Sequence, residues 1–366
     1  MVQKFPCIDS MFAKKGRLRL TFFFAWLTAF SALAENQVFV QHDQQASSGV
    51  LSAKQWLDEG LRPKTKAEWI HSINQVGFEF QLGSMTGGIA QTRSGYLSAN
   101  RNALSLAAQD EERGRFDLSP QGQFALSATV QTLESTIFSI GFKQALTSNI
   151  DWSLTPHVHF IHDYQRSDGN LTLQTTGSQS RLDGHLQRVG TRNYGFLMND
   201  QADAGWGWGV NMGLGLQSEW GHGRLNVSNL LGQLRFSSIH FSNRQFLVNS
   251  ANGKDVVLSD IPSLQGNYGL TKSRERLPVV WQARFSPVVA PNMELGITAM
   301  GSDKRWFLGY GRSVGQHRFW TQTVEAQNWS LGWETWLYEK WTLGATVTAT
   351  RLNDAAFTRI LVRRIW

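Results

Sequence analysis

Residues 205–217 read GWGWGVNMGLGLQ. The even positions are Trp206, Trp208, Val210, Met212, Leu214 and Leu216, and the odd positions are glycine except for Asn211 and Gln217. Successive side chains of a β-strand point to opposite faces. One face of this stretch is therefore wholly apolar and the other nearly bare. Thirteen residues suffice for a tilted strand across a bilayer, which needs about 9–11.

The same period runs downstream and upstream. Trp329, Leu331, Trp333 and Leu337 alternate with Ser330, Gly332 and Glu334; after a tight turn at Glu339-Lys340, Trp341, Leu343, Ala345, Val347 and Ala349 face away from Thr342, Gly344, Thr346, Thr348 and Thr350. Phe124, Leu126, Ala128 and Val130 repeat the pattern, as do Phe138, Ile140 and Phe142, Leu277 to Phe285, and Met293 to Ala299. These runs, joined by polar connections, predict antiparallel strands. A soluble β-sandwich also alternates, but its polar face meets water and is rich in Lys and Glu. Here that face is Gly, Thr, Ser and amides, and aromatics such as Trp329, Trp341, Trp306 and Tyr310 sit at strand ends, where a membrane girdle places them. Residues 276–366 hold seven candidate strands. Polar stretches at 84–121, 165–204 and 240–275 read as long connections, with turn signals at Asp168-Gly169 and Asn252-Gly253. At roughly ten residues per strand plus turns, about 12–16 strands fit, with 14 the central value.

The chain of 366 residues opens with a secretory signal over 1–34. Lys14, Lys15, Arg17 and Arg19 form a positive region, Leu20–Phe30 an apolar run too short to span a bilayer, and Ala32-Leu33-Ala34 the cleavage pattern. Cleavage removes four of the seven net positive charges and leaves +3 on 332 residues, so charge gives no case for nucleic acid. Cys7, the only cysteine, leaves with the signal, which excludes disulfides, thiolate metal sites and a Cys nucleophile. Fourteen tryptophans remain without an apolar run long enough for a membrane helix.

Residues 35–75 read as a separate N-terminal segment, periplasmic or plugging the barrel. Residues 35–50 look loosely ordered. Ser52 with Gln55, and Thr65 with Glu68, match the capping box, and predict short helices bearing Trp56 and Leu57, then Trp69, Ile70 and Ile73. The barrel is expected over 76–366. If the glycine face of 205–217 points inward, the Trp56/Trp69 segment is the natural body to pack on it; relief of crowding in a curved wall is the plainer alternative.

The final strand, FTRILVRRIW, resembles the terminal strand of bacterial outer-membrane β-barrel proteins, which ends on an aromatic residue after alternating apolar positions. Ile360, Val362 and Trp366 match that alternation, and Arg364 departs from it. The resemblance implies that this strand is the recognition signal for the barrel-assembly machinery, with outer-membrane lipid as the surroundings. Gly205–Ile239 also resembles hairpins in barrels related to the long-chain fatty-acid transporters and to a conjugation-associated outer-membrane family, implying a medium barrel with an N-terminal plug. The Asn-Pro-Ala start of the fatty-acid transporters is absent, which argues against lipid transport.

Chemistry-bearing residues are few. His157 and His159 share one strand face with Asp163 in TPHVHFIHDY. Such a set could chelate a metal or serve a hydrolase, but a polar strand end facing the lumen or a loop explains it without either. His222 near Ser228 and Asn229 is a looser echo of a hydrolytic set, and Asp110-Glu111-Glu112 reads as a solvated loop. No cofactor or metal site is expected. The leading expectation is a channel or transporter for a small or amphipathic solute, tuned by lumen residues such as Arg284, Glu294 and Lys143. The alternatives are a non-conducting barrel serving a surface polymer or secretion partner, and a membrane hydrolase.

Overall fold

The computed structural model describes residues 35–46, 67–106, 121–177, 179–192, 202–250, 263–300, 303–324, 328–337, 341–349 and 356–365. Sixteen strands follow one another: β1 (Glu35–Ala46), β2 (Ala67–Leu82), β3 (Met85–Asn100), β4 (Gly122–Thr147), β5 (Ile150–Thr176), β6 (Gln179–Gly190), β7 (Trp206–Ser218), β8 (Gly221–Ser250), β9 (Ser263–Arg276), β10 (Val280–Pro287), β11 (Met293–Met300), β12 (Asp303–Val314), β13 (His317–Val324), β14 (Asn328–Leu337), β15 (Trp341–Ala349) and β16 (Ala356–Ile365). Every pairing is antiparallel between neighbours, and β1 pairs β16, with Val40 opposite Val362. The sheet therefore closes on itself.

Sixteen strands fill 14 positions in the wall. The lower half of β5 pairs β7 and its upper half pairs β6. Likewise the lower half of β8 pairs β7 and β10, and its upper half pairs β6 and β9. Thus β6 and β7 are one position interrupted at 191–205, and β9 and β10 another interrupted at 277–279. The result is the 14-stranded antiparallel barrel that the spacing predicts, with the seven strands β10–β16 in its C-terminal quarter.

Register fixes which face meets lipid. Val76, Phe138, Ile140, Phe142, Val158, Phe160, Met212, Leu214, Leu216, Leu295, Leu308 and Leu331 all point outward and stay exposed, Ile140 by 59% and Leu331 by 68%. A water-soluble monomer does not show so wide an apolar belt. A closed barrel with such a belt leaves no sheet edge unpaired, the condition for strands in hydrocarbon. The molecule is an outer-membrane β-barrel. Trp281, Trp306 and Tyr310 stand exposed on the same outer face, and the Arg364 guanidinium lies 5.2 Å over the Trp341 ring. The residue that breaks the terminal alternation thus gains a cation–π partner. Ile360 and Val362 take outward register positions opposite Ala345 and Leu343; Trp366 lies outside the described residues.

Several expectations need correction. The barrel begins at residue 35, not 76. Residues 35–46 form β1, because closure requires a partner for β16 and Val38 and Val40 alternate correctly around Phe39. Trp69, Ile70 and Ile73 belong to β2, not to a helix: pairing with β1 and β3 along the whole strand outweighs a local capping motif. Asp168-Gly169 lies inside β5, and the hairpin turns instead at Gly177, φ +60°. The first predicted helix with Trp56, the signal 1–34, Asp110-Glu111-Glu112 and Asn252-Gly253 lie outside the described residues.

Two-residue turns at 83–84, 148–149, 219–220 and 315–316 and the five-residue connection 288–292 share the end where β1 begins and β16 finishes, and the longest connections, 47–66, 101–121 and 251–262, share the other. Short turns are periplasmic in such barrels and long loops extracellular. On the extracellular side β4, β5, β6, β8 and β9 continue well past the belt as a protruding sheet. Its outer face buries Phe124, Leu126, Leu173 and Leu182 against Leu106 of the short helix 101–106. Asn100 and Asn102 donate side-chain N–H groups to Ala125 O on the β4 edge, which blunts that edge.

Candidate solute path

Fourteen strands spaced about 4.8 Å apart and tilted about 40° enclose a backbone cylinder roughly 28 Å across. Wall side chains alone do not fill that width, so what projects inward decides what can pass.

At the periplasmic end the inward positions are charged. Arg224 on β8, Arg284 on β10, Arg318 on β13 and Arg363 on β16 lie on one half of the wall, with Glu294 and Glu334 among them. Arg305 faces inward further along its strand. Across the lumen the inward charges among the described residues are Glu79, Asp151 and Lys143. Among the described side chains, five arginines against two carboxylates on one half, and two carboxylates against one lysine on the other, set a field across the lumen. Arg284 Nη1 sits 3.2 Å from Glu294 Oε1. Arg224 and Arg284 are directly opposed, a like-charge pairing that costs stability. Arg224 reaches only the Asn226 amide, at 3.4 Å. Lys143 stands exposed on β4, away from the Arg284–Glu294 pair.

Glycines keep the wall thin where large side chains lie flat. A Cβ on Gly296 would stand 2.1 Å from the Phe307 ring, and one on Gly332 would stand 2.0 Å from Trp320. The glycine face of β7 does point inward. Among the described residues its neighbours lie over it: His157 over Gly209, Ser153 over Gly213 and Asp151 over Gly215 from β5, and Leu234 over Gly207 from β8; the Trp56 segment lies outside the described residues.

His157 and His159 face inward and are buried, their rings edge to face at 5.0 Å. His159 Nδ1 is 3.1 Å from Ser135 Oγ, and its Nε2 has no partner. Asp163 is not with them. A bulge between Glu134 and Ser135 inserts His162, so that Ile161 and Tyr164 continue the inward face while Asp163 turns outward to Arg192 at 2.6 Å and Thr191 at 2.8 Å. Ser135 and His159 approach a nucleophile–base pair, but no carboxylate orients the imidazole and Ser135 is only 1% exposed. Among the described residues no three ligating side chains converge on a metal position. His222 opposes Gln217 and Ser286 near the periplasmic end, about 20 Å of extended strand from Ser228.

Above the histidines the inward face becomes apolar. Leu133, Ile161, Tyr164, Val189, Leu234, Phe236, Ile239 and Leu277 pack together where β6 gives way to β7. An ion network caps this apolar neck of the inner wall, where β6 gives way to β7: Arg166 bridges Asp168 at 2.7 Å and Glu275 at 3.0 Å, Thr129 donates to Asp168, and Ser273 donates to Glu275. Burial and the neighbouring carboxylates raise the Tyr164 phenol above its ordinary range. Sequence reasoning missed this neck. Only pairing across β4, β5, β6 and β8 assembles it.

No protein-family model and no curated protein sequence matches the chain. Among solved structures it is similar to a TodX deltaS2S3 mutant monoaromatic hydrocarbon channel, with 8% identity, 92% of this chain and 90% of that chain covered, and a TM-score of 0.43. It is also similar to the translocator domain of autotransporter NalP from Neisseria meningitidis, with 8% identity, 95% of each chain covered and a TM-score of 0.31.

Proposed function

We propose that the barrel is an outer-membrane channel for small anionic solutes. The observation that carries this reading is the pair of inward, exposed guanidinium groups of Arg224 and Arg318, which have no carboxylate partner among the described residues. Arg224 stands opposite Arg284, and Arg318 stands opposite Glu334 without an ion pair to it; guanidinium groups left this way attract and steer opposite charge. The aromatics lying flat over Gly296 and Gly332 favour a lumen kept open, and the apolar cluster on the inner wall offers a solute a surface without competing charge.

The test is a planar-bilayer measurement of the refolded protein under a potassium chloride gradient. A steady current whose reversal potential shows preference for chloride is expected. Changing Arg224 and Arg318 together to Gln should move that potential toward neutrality. A silent or cation-preferring barrel overturns the proposal, and silence favours a non-conducting barrel that serves a partner.

A further inference from the structure

The inner face of the protruding extracellular sheet carries two side-chain ladders that the channel reading leaves unused. One runs from Asn170 on β5 through His185 on β6 to Gln245 on β8. The other runs from Asp168 through Gln187 and Asn243 to Asn267 on β9. Asn170, His185, Gln187, Asn243, Gln245 and Asn267 are all exposed, and among the described residues none of them makes a side-chain hydrogen bond. Rungs lie about 4.8 Å apart across the strands, and side chains on one face recur about 7 Å apart along them.

A sheet face that merely meets water is ordinarily held in solution by Lys and Glu. The charges here are already paired: Asp168 belongs to the Arg166 network, and Arg181 sits 3.4 Å from Asp183. What remains free is an array of planar amides and one imidazole. Each amide offers two donors and an acceptor with two lone pairs, which suits a ligand whose own surface alternates donors and acceptors, as vicinal hydroxyls do. The opposite face of this sheet on β4, β5 and β6 is buried under the helix 101–106, so among the described residues the ladder face is the one open to a ligand. It also leads down the same inward face to the neck and the arginines.

We infer that this sheet binds an oligosaccharide at the extracellular mouth, and that the solute class of the channel is therefore an acidic sugar oligomer: hydroxyls read by the amide ladders, carboxylates drawn on by the periplasmic arginines. The inference rests on the proposed anion channel for its second half only. The ladder binds sugar whether or not the lumen conducts. The ligand meant is a free oligomer, not the glycan of a membrane lipid.

The test uses the refolded full barrel in detergent, titrated calorimetrically with galacturonate oligomers of three to six units, with maltose oligomers of equal length, and with micellar lipopolysaccharide. Galacturonate oligomers should bind, and maltose oligomers should bind more weakly. A Gln187→Ala/Asn243→Ala/Gln245→Ala variant removes three unpartnered side chains and should fold and conduct potassium chloride as the parent does. Its affinity for the acidic oligomer should fall about tenfold or more, since each lost hydrogen bond weakens binding severalfold. Unchanged affinity in the variant, absence of binding by either oligomer, or binding of lipopolysaccharide alone each overturns the inference. Sugar binding by a barrel silent in bilayers would sustain the ladder while refuting the channel. Anion current without sugar binding would do the reverse.

Discussion

Changing Gly296 to Ala should unsettle the barrel, and changing Gly309 to Ala should not. Both glycines lie on the inward face of adjacent strands, β11 and β12. A Cβ at 296 would meet the Phe307 ring at 2.1 and 2.4 Å and the Ala283 carbonyl oxygen at 2.7 Å. The carbonyl belongs to the sheet and cannot yield, and the ring is only 7% exposed, so relieving the clash turns Phe307 off the wall. Such overpacking costs about 1–3 kcal/mol. A Cβ at 309 finds its nearest atom at 3.6 Å, ordinary contact, and gains about 0.5–1 kcal/mol from the lost backbone freedom of glycine. The two variants should therefore differ by about 1.5–4 kcal/mol, read as urea-unfolding midpoints of the refolded barrel in phospholipid vesicles. A Phe307→Leu background should remove much of the Gly296→Ala penalty, because the two residues then no longer compete for one volume. Displacing the ring also disturbs Arg284, whose guanidinium lies 5.7 Å over it, so bilayer conductance should change in Gly296→Ala alone. If Gly296→Ala proves as stable as Gly309→Ala, the account of aromatics seated on glycine is refuted.

Ile140→Arg places a charge on the outer belt and should cost about 2–4 kcal/mol by the same vesicle assay; no change would mean that this face does not meet hydrocarbon. His71 sits above the belt, beside outward Ser72 and Asn74, and burial holds its imidazole down to about 4. Its neutral form is favoured in the fold, so its contribution is whole above the unfolded value near 6.5 and lessens as pH falls from there through 4, by up to about 3 kcal/mol. Unfolding midpoints at pH 7.5 and pH 4 should diverge less in His71→Gln than in the parent, and equal divergence would exclude this residue as the cause. Arg166→Ala strands Asp168 and Glu275, and should cost about 2 kcal/mol, less than a fully buried pair because Arg166 is 36% exposed. Adding Glu275→Gln should recover part of that loss in the same denaturation series, and no recovery would show that the charges do not matter.

The membrane half of the fold was legible because lipid enforces strict alternation. Trp206 to Leu216, Phe138 to Phe142 and Met293 to Ala299 each declare their outer face residue by residue. Above the belt that discipline relaxes, and reading failed there. Asp168-Gly169 looked like a turn, yet Arg166 and Thr129 hold Asp168 within β5. Ala67 to Ile73 looked helical because Thr65, Glu68 and the apolar spacing agree locally, while the deciding partners lie on β1 and β3. The rings of His157 and His159 lie 5.0 Å apart, but extending a period of two to Asp163 missed the bulge at Ser135. The amide ladders were invisible for a related reason. Asn170, His185, Gln245 and Asn267 become neighbours only through pairing among four strands.

The bond between β1 and β16 joins residues more than three hundred positions apart, Val40 with Val362. Until that last zipper is drawn, each of the two strands presents a bare ladder of amide groups that hydrocarbon will not tolerate and that any stray strand could capture. Insertion therefore has to wait for the far end of the polypeptide to be delivered beside the near one. A change that weakens either margin should reveal itself as material trapped before the bilayer, with the finished cylinder, once formed, as durable as before.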